Sequence, residues 1–252
     1  MKVPAPLPAS QLIKGAMLSA AKSKSRKTTA KSRKSGAKDA SLAFEPQQAR
    51  SRESERKLLK AAAEVLGQHG VAGTTIPRIA AHAGLTPGSI YRRFPDKEVL
   101  LETMILGILE RQDERLRTGI TTEMAGQIPL PVFAENMINN LLVSYRANAG
   151  LMRAMQQFAR ASINQEFRRK ATRLELRTFE RLVDLFLATA KNLDHPQPRT
   201  AVSLGLMMVI STLHELLLHT TDLKAWKGLL PQDDLSLRRE LTRAFLRYLG
   251  AH

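Results

Sequence analysis

The chain has 252 residues, 43% hydrophobic and 25% charged, which is enough apolar material for one large domain or two modest ones. It contains no cysteine, which excludes a disulfide framework, a thiolate metal site and a cysteine nucleophile. Its net charge of +16 points to a polyanionic partner, either nucleic acid or an anionic surface.

The charge is uneven. Residues 1–50 hold eleven Lys and Arg against Asp39 and Glu45, so this fifth of the chain carries +9 of the +16. Between Ala21 and Ala40 no hydrophobic residue is larger than alanine. Such a segment buries too little surface to offset the entropy of ordering, and a disordered basic arm is predicted over 1–50. A short helix over Gln11 to Ala21 is the one exception. The arm either holds DNA phosphates nonspecifically or is a solvated tail upstream of an internal start such as Met17. A cleavable signal pattern is missing, because Lys14 and Gly15 break the stretch from Leu12 to Leu18.

From Ser51 the pattern turns helical, and alternating strand-like runs are absent. The predicted fold class is all-α, with about nine helices. The first spans Ser51 to His69 and ends at Gly70, with Leu58, Ala62, Val65, Leu66 and His69 on its inner face. The second is Ile76 to Ala83, stopped by Gly84, and the third Pro87 to Arg93. Thr75 and Thr86 suit the N-caps of these two short helices, with Pro77 and Pro87 in their first turns. The fourth runs from near Pro95 to Thr118. After a loop at Gly126 to Pro131, helices fit Val132–Asn148, Leu151–Ser162, Gln165–Asn192, Arg199–Thr220 and Leu235–Leu249.

Two short helices about a tight turn at Gly84 form a helix-turn-helix whose second member can enter a major groove. In the stretch TTIPRIAAHAGLTPGSIYRRFPDK, Ile79, Ala80 and Ile90 face inward, while Ser89, Tyr91 and Arg92 lie on outward or flanking surfaces. Tyr91 is alternatively a half-buried core residue with a wet hydroxyl, and Arg92 and Arg93 plain surface.

The same residues resemble the DNA-binding domain of the Tet repressor (TetR) family. Ala62, Gly70, Thr74 with Thr75, Ile79 with Ala80, Ala83 with Gly84, Thr86, Gly88 to Tyr91, Phe94, and Lys97 with Glu98 stand in register with that family's pattern. Arg93 departs from it, standing where family members often carry His or Tyr. The resemblance covers about 50 residues; the last 140 or so match only in length and helical character.

What the resemblance implies is a transcriptional regulator of three parts. Residues 1–50 are the basic arm, 51–104 a three-helix DNA-binding domain, and 105–252 a helical domain for effector binding and dimerisation. The implied DNA-binding residues are Arg52, Thr74, Thr75, Thr86, Pro87, Gly88, Ser89, Tyr91, Arg92, Arg93 and Lys97. Among them Thr75, Tyr91, Lys97 and Arg52 would touch phosphate, and Thr86 to Ser89 would lie nearest the base edges. A two-fold dimer would set two reading helices about 34 Å apart on a palindromic operator. An unknown small-molecule effector would release a repressor from it.

The last two helices carry wide apolar stripes, Val202, Leu206, Val209, Ile210, Leu213 and Leu217 on one, Leu237, Leu241, Phe245 and Leu249 on the other. Such stripes need covering, by a second copy or by the chain's own core. Phe133, Met137, Tyr145, Met152, Met155, Phe158, Phe179 and Met207 offer the adaptable side chains of an apolar effector pocket, or ordinary core. A hydrophobic or weakly polar effector is the expectation.

No phosphate loop, dinucleotide fingerprint or nucleophile elbow is present, and no enzyme, cofactor or metal is expected. His214 and His219 look like a zinc-protease pair, but five residues set them about 140° apart around an α-helix rather than on one face. A polar stripe at a helix interface is predicted there. Asp233 and Asp234 read as acids capping the last helix. No apolar run reaches the roughly 18 residues of a membrane span, since Ser211, Thr212, His214 and Glu215 interrupt Leu204 to Leu218. A cytoplasmic, DNA-associated bacterial protein is expected, with a nonspecific DNA-compacting protein driven by the basic arm as the alternative.

Overall fold

The computed structural model describes residues 44–190, 193, 195–219 and 223–251. The basic arm up to residue 43 lies outside them, with its Gln11 to Ala21 helix, and so do Asn192, Asp194 and Thr220. The elements are α1 (Phe44–Gly73), α2 (Ile76–Ala83), α3 (Pro87–Tyr91), α4 (Lys97–Gly119), α5 (Thr122–Ala125), α6 (Leu130–Ala161), α7 (Gln165–Thr189), α8 (Pro198–His214), a π-helical turn (Glu215–His219), a 3-10 turn (Leu223–Trp226) and α9 (Asp234–Tyr248). Among the described residues the fold is all-α; the single β-type contact is an isolated bridge between Lys227 and Leu230.

Packing divides the chain into two units at the bond between Met104 and Ile105, within α4. In the first unit α1 supplies Leu58, Ala61, Ala62, Val65 and Leu66 to a core completed by Ile76, Ile79, Ala80, Ile90, Phe94, Leu100, Leu101 and Met104. Helix α1 begins at Phe44, inside the segment expected to be disordered. Gln47, Gln48, Ala49 and Arg50 are good helix formers, and Pro46 sits in the first turn, where its missing N–H is no loss. At the other end Gly70, with φ of 66°, interrupts the helix as the sequence predicts.

In the second unit α6, α7, α8 and α9 share one core. Phe133 of α6 meets Phe186 of α7 edge-on at 4.8 Å, and Phe186 meets Phe245 of α9 at 5.1 Å. The stripes predicted on α8 and α9 are absorbed here: Val202, Leu206, Val209 and Leu213, with Leu237, Leu241, Phe245 and Leu249, are buried in the chain's own interior. Gly205 makes this approach possible, since a Cβ there would stand 2.8 Å from the Phe245 ring. Asp113, buried on α4, accepts charge-assisted bonds from Arg177 at 2.9 Å and Arg181 at 2.8 Å, tying α7 to α4.

Two expectations are corrected. The pair Val132–Asn148 and Leu151–Ser162 is one helix, α6, bent at Asn148 (φ −127°, ψ 18°) rather than broken at Gly150. The stretch Pro198–His219, 22 residues of helix with its π-helical end, is long and apolar enough to cross a membrane by length and composition. Its polar interruptions are uncharged apart from Arg199 and Glu215, so they do not lower its hydropathy as expected. In this fold it is a core helix, with Ala201, Val202, Gly205, Leu206, Val209, Leu213 and Leu218 buried.

Candidate nucleic-acid interface

Two threonines set the geometry of the first unit's surface. Thr75, in an extended conformation, caps α2 by accepting from Arg78 N at 3.3 Å. Thr86 does the same for α3, accepting from Ser89 N at 3.3 Å. Each cap satisfies an otherwise orphaned N–H, which is worth about 1 kcal/mol. Between the two helices Gly84 takes φ of 68° and returns its N–H to Ala80 and Ala81, a left-handed turn that side chains resist. Ile90, fully buried, anchors α3 to the core below.

That anchoring leaves the other faces of α3 outward. Thr86, Pro87, Gly88, Tyr91, Arg92 and Arg93 are all exposed, Tyr91 by 53%. Ser89 is half-buried, and its hydroxyl donates to Thr86 O at 2.7 Å. Gly88 has no internal reason to be glycine. A Cβ built there meets nothing within 4 Å, and its φ is not in the left-handed region.

The remaining predicted residues are distributed around this surface. Arg52 is exposed on α1, and Arg93 reaches the same helix by donating to Ser51 Oγ at 3.4 Å. Lys97 is half-buried at the start of α4, its Nζ 3.9 Å from Glu98. Thr74 stands apart: it is 0% exposed, and its hydroxyl donates to Gly70 O at 2.6 Å, so it closes the turn after α1 and has no surface to offer a partner. Arg78, which the sequence reading passed over, is exposed on α2 with its guanidinium bonded to Gly73 O.

In the second unit the eight residues predicted to line a pocket are spread over core and surface. Phe133, Met137 and Tyr145 are buried in the closed core, with Met152 and Phe179 packed against it. Phe158 is buried against Phe167 at 5.8 Å, Met155 is half-buried, and Met207 is 50% exposed on α8. An open depression of about 500 Å³ lies elsewhere, lined by Arg153, Gln156, Gln157, Arg160 and Ala161 of α6 and by His219.

The histidine separation is also corrected. His214 ends α8 and His219 ends the π-helical turn. A π-turn closes on residues five apart, so the spacing that would separate them on an α-helix turns both toward α6. His214 lies 3.3 Å from the Gln156 amide nitrogen and 5.2 Å from the Tyr145 ring. Burial first, then the charges of His219 and Arg160, hold its imidazole below the usual histidine range. Burial likewise raises the Tyr145 phenol. Among the described residues no three His, Asp or Glu are grouped to hold a metal. Asp233 caps α9 as predicted, accepting from Ser236 N at 2.8 Å, and Asp234 pairs with Arg146 at 2.8 Å.

Residues 58–104 match the family model described as bacterial regulatory proteins, tetR family. No curated protein matches the chain. Several solved structures share its fold. One, from Mesorhizobium loti MAFF303099, is assigned to the TetR-family transcriptional regulators; it is 20% identical, with 79% of this chain and 97% of that one covered and a TM-score of 0.60. The transcriptional regulator FadR from Bacillus subtilis, in complex with stearoyl-CoA, is 18% identical over 78% of this chain and 99% of its own, with a TM-score of 0.54. A TetR family transcription regulator from Marinobacter aquaeolei VT8 is 17% identical, covering 81% and 97%, with a TM-score of 0.52. The resemblance to the Tet repressor family, and the all-α arrangement of a helix-turn-helix followed by a helical domain, are thereby shown.

Proposed function

We propose that this protein is a sequence-specific DNA-binding regulator of transcription, acting as a homodimer on a palindromic operator from which a small molecule releases it. The observation that carries the reading is the outward surface of α3. Gly88 lacks a side chain where one would fit, and Tyr91 and Arg92 flank it, exposed. A glycine kept where the chain itself does not need one fits close approach to a base edge or phosphate. In this reading Thr75, Tyr91, Arg52 and Lys97 hold phosphates, Thr86 to Ser89 lie against base edges, and Arg92 with Arg93 reads a base or clamps the backbone. Thr74 acts by fixing the turn.

Dimerisation is supported by α8. With its predicted stripe taken up by the chain's own core, the helix still exposes Leu204, Met207 and Met208, a second apolar face of the kind a partner copy covers. A ligand in the helical unit fits the likeness to FadR, whose structure holds stearoyl-CoA. Repression rather than activation follows if bound protein obstructs the promoter.

The test is selection of bound sequences from a genomic DNA pool with the full chain at moderate salt. An enriched palindrome, lost on Tyr91→Ala, is the expected outcome. Binding without sequence preference, insensitive to Tyr91→Ala and steeply dependent on salt, would instead make the basic arm the principal binder and overturn the proposal.

A further inference from the structure

We propose that the cavity between α6 and the π-helical turn is a binding site for the anionic head of a small organic ligand, a carboxylate or a phosphate. Its ligand role as effector rests on the regulator reading above; its anion binding does not.

Four polar residues of α6 face this cavity, Arg153, Gln156, Gln157 and Arg160, at spacings of three and four that place them on one side of the helix. His219 faces them from the π-turn, and His214 stands behind, against Gln156. No described carboxylate forms an ion pair with Arg153 or Arg160, whereas Arg117, Arg146, Arg177, Arg181 and Arg199 of the same unit each have one. Two exposed permanent cations and the His219 imidazole thus line one depression, with no described carboxylate paired to either arginine. Like charges set side by side favour an anion between them, and guanidinium groups match carboxylate and phosphate oxygens through paired N–H donors.

Two further features mark the space as built for a ligand. The side-chain oxygen of Gln156 is buried and has no hydrogen-bond partner. An orphaned buried amide oxygen is costly, and a half-turn of the amide puts its NH2 donors in that place, the end from which an anion can accept. The π-turn itself is the second. It ends α8 and brings His219 round to α6, with wider hydrogen-bond geometry than a regular helical end would have. The volume of about 500 Å³ suits a small molecule. Ala161 and the arginine stems supply apolar wall, so the fitting ligand is an amphiphilic anion rather than a wholly apolar one.

The full chain is titrated by calorimetry with octanoate, octyl phosphate, inorganic phosphate and octanol. The expected result is saturable binding of at least one octyl anion at about 1 mM or below, and none of octanol. Octanoate or octyl phosphate binding more tightly identifies the head as carboxylate or phosphate. Arg153→Gln with Arg160→Gln should weaken that binding by about tenfold or more, whereas Arg168→Gln with Arg169→Gln, which removes the same charge from α7, should leave it unchanged. Melting and DNA binding of both double variants are measured without ligand, to show that each is folded. No binding of either anion, equal binding of octanol, or unchanged binding in the Arg153/Arg160 variant would overturn the site. Anion binding that persists while no operator is found would sink the regulator reading and leave the site standing.

Discussion

Replacing Gly88 by alanine should strengthen the fold and weaken DNA binding, opposite signs from one methyl group. Inside the chain the new Cβ meets nothing within 4 Å, and the backbone is not in the left-handed region, so no strain is introduced. Alanine restricts the unfolded chain more than glycine does, which stabilises by about 0.4–1 kcal/mol at a compatible site. At this chain length that raises the melting temperature by roughly 2–4 °C per kcal/mol. On DNA the methyl group would stand between α3 and the groove. Pushing the reading helix outward by even ~1 Å stretches hydrogen bonds that work only near 3 Å, and loss of one good base contact costs about 1–3 kcal/mol, about fivefold to 150-fold in affinity. Anisotropy titration of a selected operator, paired with thermal denaturation of the same preparations, reads both signs. A Gly88→Ala protein that binds the operator within about twofold of wild type would refute the reasoning, because the absent side chain would then have no outside partner. A protein that melts lower would refute its internal half.

Other substitutions test the packing and the titrating groups. Thr86→Ala removes the cap of α3 and should lower stability by about 1 kcal/mol, with operator affinity falling as well, while Thr86→Ser keeps both; denaturant melts and the same titration check this. Gly205→Ala places a methyl 2.8 Å from the buried Phe245 ring and should destabilise by about 1–3 kcal/mol in denaturant unfolding; a neutral result would mean α8 and α9 separate at no cost. Asp113→Ala strips two arginines of their shared carboxylate and should cost about 1–3 kcal/mol, while Arg177→Ala, leaving Arg181 in place, costs less. His214 gives the pH dependence. Its folded pKa lies below the usual 6.5, so the unfolded chain takes up the proton first, and stability falls as pH drops below about 6.5 until the folded imidazole also protonates. The melting temperature of wild type should therefore fall more steeply than that of His214→Gln between neutral and mildly acidic pH; parallel curves would contradict the assignment.

The short helices of the first unit were legible because their determinants are local. Thr75 and Thr86 cap within three residues of themselves, and Gly84 ends α2 through its own backbone, so the signals lie inside the span they control. The long helices show where local signals stop sufficing. Gly150 reads as a break, yet α6 runs through it and bends at Asn148 instead, because a glycine in a helix costs only about 1 kcal/mol and a buried face with Phe133, Met137, Leu142 and Phe158 outweighs it. Composition also fails to separate core from pocket. Phe133 and Met207 look equally suited to line a cavity, but one is sealed between helices and the other lies half in solvent. The residues that do line the cavity were hidden for a related reason. Arg153, Gln156, Gln157 and Arg160 form a polar stripe that in sequence is indistinguishable from a solvated helix face. What makes it the wall of a cavity is His219, 59 residues beyond Arg160, carried there by a π-turn that no residue type announces. Reading a groove therefore needs one short segment, whereas recognising a ligand needs segments that only the folded chain brings together. The surface of α2 and α3 was open to sequence reasoning, and the depression between α6 and the end of α8 was not.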